Sequence, residues 1–169
     1  MMIRRLDPDT DLELYGEMYS WEMDAPQWFR EASGVDRPTW EDFLTQIRDV
    51  NQIDIGVWSN RDTLCAVVSV TDRGSGSFEG HLWAKRHTKL ETITMAVWQV
   101  MDDLFQRGMN EAFVVVAEKN RAVIRMCQAL HMIADGQTKI GGEYHGRPIK
   151  WIKLCCTRDM WVRLHEKVA

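Results

Sequence analysis

The chain has 169 residues, of which 45% are hydrophobic, and this predicts one globular domain spanning residues 1–169 rather than a disordered segment. Its formal net charge of -4 provides no overall positive field, so we do not expect nucleic acid as a partner. No apolar run approaches the roughly 20 residues that cross a membrane. The opening segment MMIRRLDPD lacks the apolar stretch of a signal peptide, and we therefore expect a cytoplasmic protein.

The first half of the chain predicts two helices and four strands. Residues 3–6 form a short strand, and Asp7-Pro8 then begins a helix that continues through Tyr19. An irregular aromatic region over residues 21–38 precedes Thr39, which begins a second helix with a capping-box pattern. Turn residues separate three further strands, predicted at 54–58, 64–70 and 78–85.

The second half alternates strands and helices before a final hairpin. Leu90–Gln106 is the longest predicted helix, and Gly108 follows as its terminator. The segment EAFVVVAEKNRAVIRMCQALHM predicts a buried strand over 113–117, a turn at Asn120 and an amphipathic helix. The remaining elements are strands at 133–144 and 149–156, joined by the turn at 145–148, and a short helix after Arg158.

The order of these elements predicts the fold class. Meandering strands, then two strand–helix units, then a hairpin indicate an α/β (α+β) domain, with a central mixed, mostly antiparallel sheet flanked by helices. The strands over 78–85 and 113–117 are joined through one helix, so they should lie parallel and adjacent. We also expect them to diverge towards Asn120. A ferredoxin-like α+β sandwich is the alternative fold.

The four cysteines do not follow the spacing of a metal site or a disulfide framework. Cys65 and Cys127 stand alone in the sequence. Cys155 and Cys156 are adjacent, so in a strand their side chains point to opposite faces. We therefore expect free thiols and no metal site.

The segment from residue 111 to 132 resembles the cofactor-binding half of the GCN5-related N-acetyltransferases (GNAT). That family has an Asn, a small residue, a Tyr and a Gly-Phe pair at fixed offsets. Here the same offsets hold Asn120, Val123, Cys127, His131 and Met132, so the register is kept while Tyr, Gly and Phe are replaced. The opening IRRLDPDTDLELYGEMY also resembles the family's first strand and helix. The resemblance implies a GNAT-like acyl-CoA N-acyltransferase fold.

The resemblance also implies acetyl-CoA as co-substrate, bound at the turn before the long helix. In the family, backbone N–H groups of this glycine-rich turn and the helix N-terminus hold the pyrophosphate. Here the turn is cationic and lacks glycine, so it forms either a phosphate cradle built from side chains or a solvated cap on a fold that has lost its cofactor. The residues expected to contact acetyl-CoA are Trp83, Arg86, His87, Thr88, Lys89 and Asn120.

Direct attack of an amine on the thioester needs a base, and the family often has a Glu on the strand facing the cofactor. Glu79 is the first candidate and His81 the second, because alternation along the strand places both on one face with Trp83. Cys127 stands where the family has the Tyr that protonates the leaving thiolate. The competing interpretations are a polar strand face for Glu79 and His81, and a small core residue for Cys127.

Two functions therefore stay open. The first is an N-acetyltransferase acting on an amine-bearing small molecule or protein. The second is a catalytically degenerate GNAT-like protein used for binding or assembly, as occurs among bacteriophage proteins, with a homo-oligomer or another assembly partner. The aromatic residues of the early helical region line an acceptor pocket, form a partner surface or pack in the core; they are Trp21, Trp28, Phe29 and Trp40.

Overall fold

The computed structural model describes residues 1–23, 39–59 and 63–166. The elements in this part of the chain are β1 (Met2–Arg5), α1 (Leu12–Met23), α2 (Trp40–Ile47), β2 (Gln52–Trp58), β3 (Leu64–Gly74), β4 (Ser77–Ala84), α3 (Leu90–Gln106), β5 (Glu111–Ala117), α4 (Arg121–Ala129), β6 (Ile133–Tyr144), β7 (Arg147–Thr157) and α5 (Arg158–Glu166). Their order confirms the predicted one, including the short helix after the last strand. Most of the predicted aromatic region, with Trp28 and Phe29, lies outside the described residues. No helix in the described part is long and apolar enough to cross a membrane.

The seven strands form one sheet in the order β1-β2-β3-β4-β5-β7-β6. Five of the neighbouring pairs are antiparallel, and β4 and β5 are parallel. This confirms the mixed, mostly antiparallel sheet and the predicted parallel neighbours. α3 supplies the crossover between β4 and β5, as a parallel strand pair requires.

Helices cover both faces of the sheet and divide the core into two main clusters. On one face, α3, α4 and α5 pack on the strands through buried residues such as Val100, Met126 and Trp161. On the other face, Tyr15 of α1 and Phe43 of α2 pack over the first half of the sheet. In the part of the chain that the structure describes, neither α1 nor α2 packs over the second half of that face, which is formed by β5, β7 and β6.

Local signals in the sequence account for several element boundaries. The hydroxyl of Thr39 accepts a hydrogen bond from the Asp42 N–H at 3.2 Å, and the Asp42 carboxylate accepts one from the Thr39 N–H at 3.0 Å. This is the predicted capping box, with Asp in place of Glu. β3 extends to Gly74 rather than ending at Val70, because Thr71 and Asp72 pair with β4 although their polarity resembles a turn.

The end of α4 has a backbone shape that usually requires glycine. His131 has a φ of 58°, its N–H donates to the Gln128 carbonyl at 3.0 Å, and the Met132 N–H donates to the Cys127 carbonyl at 2.9 Å. These two bonds form a Schellman motif, in which the left-handed position is commonly glycine. His131 stands at the position where the resembled family has glycine. Met132 follows as a buried residue, as the family's Phe would.

Replacing His131 with glycine should stabilise the protein. A side chain in the left-handed region costs the native state about 1–2 kcal/mol. Glycine removes this cost but also gives the unfolded chain more conformational freedom, which offsets part of the gain. We therefore expect His131→Gly to raise the free energy of unfolding by about 1 kcal/mol. Gln128→Gly is the matched control, because the same change inside α4 should lower that free energy by about 1 kcal/mol. Urea unfolding measures both, and a destabilised His131→Gly variant would contradict the assignment.

Candidate active site

The parallel strands β4 and β5 pair only where they begin. Three residue pairs join them, from Ser77–Glu111 to Glu79–Phe113, and among the described residues no further pairing follows although β4 continues to Ala84 and β5 to Ala117. We call the space between the diverging strands the cleft. Beyond the last pair, backbone N–H and C=O groups on both strands have no strand partner across the cleft and are available to a ligand.

One face of the central strand β5, beside the cleft, is exposed to solvent. Val115 of β5 is 43% exposed, whereas Val116, its neighbour on the opposite face, is buried in the core. Val115 points to the face on which Phe113 and Lys153 lie, and in the described part of the chain α1 and α2 do not cover this half of the face. β5 therefore borders the cleft with one face buried in the core and the other open to solvent.

Each wall of the cleft is held by its own outer strand. The end of β4 is bonded to β3 through the pair Ala66–Ala84 and through the Lys85 N–H, which donates to the Cys65 carbonyl at 2.9 Å. The end of β5 is bonded to β7 through the pair Ala117–Trp151. Each wall is therefore held in place by its outer neighbour, and only the backbone groups that point into the cleft lack a strand partner.

The helix α3 begins at the end of β4 without a side-chain cap. Lys89 occupies the N-cap position and makes no capping hydrogen bond with its side chain. The first-turn N–H groups and the helix dipole form a positive end, which the exposed cations Arg86 and Lys89 reinforce and Glu91 partly offsets. His87 has a φ of 71°, so this turn takes a left-handed conformation without glycine.

Two other polar residues of the turn have structural partners. The hydroxyl of Thr88 lies 2.8 Å from the Lys85 carbonyl and 2.9 Å from the Cys65 carbonyl, and its single proton is directed to these acceptors. Lys85 forms an ion pair with Glu17 of α1 at 2.7 Å. Thr88 therefore shapes the turn and fastens it to β3, which leaves Arg86 and Lys89 as its cations without a described ion pair.

Glu79 and His81 lie close together on the face that sequence alternation predicted. One Glu79 oxygen accepts a hydrogen bond from Arg73 Nε at 2.8 Å and forms an ion pair with Arg73 Nη2 at 2.6 Å, and the other Glu79 oxygen lies 3.8 Å from His81 Nε2. Burial lowers the pKa of His81 below its ordinary value, and the Glu79 carboxylate acts in the opposite direction. His81 is thus neutral and able to accept a proton at neutral pH, whereas Glu79 is occupied by Arg73.

Trp83 shares this strand face but is turned towards the helices α1 and α2. Its indole N–H donates to the Ser69 hydroxyl at 3.1 Å, and its ring meets Phe43 edge-on with centroids 6.2 Å apart. Trp21 and Trp40 pack partly against the same cluster, which favours core packing for these two aromatic residues. Trp83 therefore packs against the hydrophobic cluster under α1 and α2, at the end of β4.

Asn120 is the N-cap residue of α4, and Cys127 lies in the last turn of this helix. The side-chain oxygen of Asn120 accepts a hydrogen bond from the Val123 N–H at 3.4 Å, so this residue caps the helix and its amide nitrogen remains for other contacts. Cys127 is 0% exposed within the main core, and burial raises its pKa to about 12. A thiol without solvent access does not reach a leaving group in the cleft, and the structure favours packing as its role.

A second polar group, which the sequence did not predict, lies on the same sheet face. The ammonium of Lys153 on β7 lies 3.3 Å from a Glu111 oxygen, 3.4 Å from an Asp135 oxygen and 4.6 Å from the centre of the Phe113 ring. The group joins β5, β7 and β6 across the part of the sheet that α1 and α2 leave open. These residues are far apart in the chain, and no short motif connects them.

Thr88→Val should test how firmly the turn is fastened. The substitution keeps the shape but removes the donor to two backbone carbonyls, so we expect a loss of about 1–2 kcal/mol in the free energy of unfolding. Thr88→Ser keeps the hydroxyl and should cost less than about 0.5 kcal/mol. Denaturant unfolding of both variants measures the difference, and equal stabilities would show that the hydroxyl does not hold the turn.

Comparison with known proteins places the fold. A spermidine N-acetyltransferase from Vibrio cholerae in complex with CoA and spermine is 11% identical, with a TM-score of 0.74 over 95% of this chain and 97% of that chain. A dodecameric structure of that enzyme is 13% identical, with a TM-score of 0.73 over 95% of each chain. A putative acetyltransferase from Acinetobacter baylyi ADP1 is 14% identical, with a TM-score of 0.73 over 92% of each chain.

The sequence itself matches one protein family. No curated protein matches the chain. The profile of the family described as "Protein of unknown function (DUF2396)" matches residues 58–165, which is more than half of the chain and includes β3 to β7 with the helices between them. The chain therefore belongs to this family of unknown function, and its fold is that of the GNAT acetyltransferases.

Proposed function

We propose that the protein is an N-acetyltransferase that transfers an acetyl group from acetyl-CoA to an amine in the cleft. The observation that carries the proposal is the cleft itself. Pairing of β4 with β5 ends at Glu79 and Phe113, and the uncapped start of α3 lies at the end of the strand that borders the opening. The cleft is therefore an elongated slot with unpaired backbone groups of β4 and β5 along its sides, and the start of α3 at one end attracts anions.

The chemistry of acetyl-CoA fits these features. The N–H groups at the start of α3, together with Arg86 and Lys89, are suited to the pyrophosphate. The pantetheine arm contains two amide groups, which match the unpaired N–H and C=O groups of β4 and β5 as an added strand would. The free amide nitrogen of Asn120 is a further donor near the end of β5.

His81 is the residue best suited to remove the proton from the attacking amine. Its lowered pKa keeps the imidazole neutral, and its Nε2 lies next to the Glu79 carboxylate, which stabilises the imidazolium formed by proton transfer. Acetyl-CoA supplies an acetyl group already activated as a thioester. Cys127 is sealed in the core, so solvent in the cleft is the source of a proton for the leaving sulfur.

The structural neighbours support the choice of an amine acceptor. The Vibrio cholerae enzyme is in complex with CoA and spermine. Among the described residues, the sheet face beside the cleft carries three carboxylates, Glu79, Glu111 and Asp135, against the two cations Arg73 and Lys153, and this excess of negative charge attracts a cationic amine. A dodecamer of that enzyme also supports a homo-oligomer for this protein. The competing function is a scaffold that no longer binds CoA. Two features favour this function: the turn before α3 lacks glycine, and Glu91 places a negative charge in the first turn of α3.

Acetyl-CoA should raise the melting temperature of the purified protein. Saturation at about 100 times the dissociation constant adds about 2.7 kcal/mol to the stability of the native state, which corresponds to a rise of roughly 5–10 °C for a chain of this size. Reversing two charges with Arg86→Glu and Lys89→Glu should abolish the rise. The control pair Lys139→Glu and Arg147→Glu changes the same charge on the β6–β7 hairpin and should keep it. No rise in the parent protein at millimolar acetyl-CoA would support the scaffold.

The base should be identified by comparing two conservative variants. His81→Gln removes the proton acceptor, and we expect kcat/KM for a reactive amine to fall roughly 100-fold or more while acetyl-CoA still binds. Glu79→Gln leaves the imidazole in place and should cost less. The acid limb of the parent pH profile should lie below about 6.5, because burial disfavours the protonated imidazole. A larger loss in Glu79→Gln than in His81→Gln would assign the base to Glu79 instead.

A further inference from the structure

A second cavity lies outside the cleft. It is an open groove with a volume of about 740 Å³, within the range of about 300–1,000 Å³ typical of small-molecule sites, and it is lined by α4, β6, β7 and α5. The residues that line it include none of the cleft residues discussed above. Most of its wall is apolar, formed by Ile124, Met132, Ile152, Leu154, Met160 and Leu164.

The cavity exists because two amphipathic helices stand apart over the same strands. Ile124 and Gln128 lie one turn apart on α4, and Met160 and Leu164 do so on α5, so each helix turns one stripe towards the gap. Ile133 of β6 stands at the cavity and is 55% exposed. Apolar surface is therefore left in contact with water, where an apolar chain would displace it.

The polar side chains around the cavity are unbalanced in charge. They are Gln128, His131 and Arg163, and no carboxylate is among the lining residues. Within the described residues, Arg163 forms no ion pair, although the whole chain carries a net charge of -4. A guanidinium presents a planar set of donors that matches a carboxylate with two parallel hydrogen bonds. An unpaired arginine beside an apolar slot thus favours a ligand with one anionic end and one long apolar end.

We propose that this cavity binds a free medium-chain aliphatic carboxylate. The hydrocarbon chain lies between α4 and α5 against Ile152 and Leu154, and the carboxylate binds Arg163, with Gln128 as a further donor. The two methionines of the wall, Met132 and Met160, allow the slot to adapt to chains of different length. Binding here does not depend on acetyl transfer in the cleft.

Calorimetric titration of the full chain with octanoate, decanoate and dodecanoate, each below its micelle concentration, tests the proposal. Affinity should rise about fourfold for each added methylene group, as expected for progressive burial of a hydrocarbon chain. Arg163→Gln should weaken decanoate about tenfold or more and leave decanol unchanged, because only the carboxylate loses a partner. Arg158→Gln, on the same helix outside the lining, should change neither.

A variant that fills the cavity provides the second arm. Ala134 lines the cavity from β6 and is itself exposed, so Ala134→Trp should block both decanoate and decanol while circular dichroism stays unchanged. Absence of saturable decanoate binding in the parent protein would overturn the proposal. An equal loss of affinity for decanoate and decanol in Arg163→Gln would also overturn it. So would a dimer, seen by sedimentation, that Ala134→Trp disrupts, because this result would assign the cavity to a second copy of the chain.

Discussion

The parallel pairing of β4 with β5 covers three residue pairs, and the features of the candidate site depend on where it stops. Beyond Glu79 and Phe113 each strand stays paired along its outer edge, β4 with β3 and β5 with β7. A separation that would be costly for a lone strand edge is therefore tolerated, because the sheet behaves as two halves joined at one end. The crossover through α3 then places the positive start of that helix at the end of β4.

The separation also determines which side chains can take part in chemistry. α1 and α2 cover the face of the first half-sheet, where Tyr15 forms a buried hydrogen bond with Asp54 and Trp83 a partly buried one with Ser69. Where the strands begin to separate, the same face carries Glu79, which Arg73 holds, and His81, 3.8 Å from Glu79. The change from buried packing to a polar pair along β4 concentrates the reactive groups at the edge of the opening. It also separates the proposed base from Cys127, which belongs to the core on the opposite face.

The order of the elements, the antiparallel and parallel pairs and the shared face of Glu79 and His81 were predictable, because they depend on periodicity and on rules of chain connection. The partners of the polar residues were not. Nothing in the spacing indicates that Thr88 bonds to Cys65, or that Arg73 occupies Glu79, since these contacts join separate strands. The left-handed backbone at His87 and His131 is also uncommon for residues other than glycine. The fold keeps the left-handed backbone at both positions without glycine. The fold prediction was therefore correct although the glycines of the resembled family are absent.

The most direct test of the central claim is amide hydrogen–deuterium exchange of the full chain with and without acetyl-CoA. If the cleft holds the co-substrate, exchange should slow in residues 80–84 of β4, at the turn over residues 86–89 and in the first turn of α3, because these N–H groups gain hydrogen-bond partners. The β6–β7 hairpin should exchange as before. Unchanged exchange along β4 and at the start of α3, at a concentration of acetyl-CoA that saturates the protein by another measure, would contradict the claim.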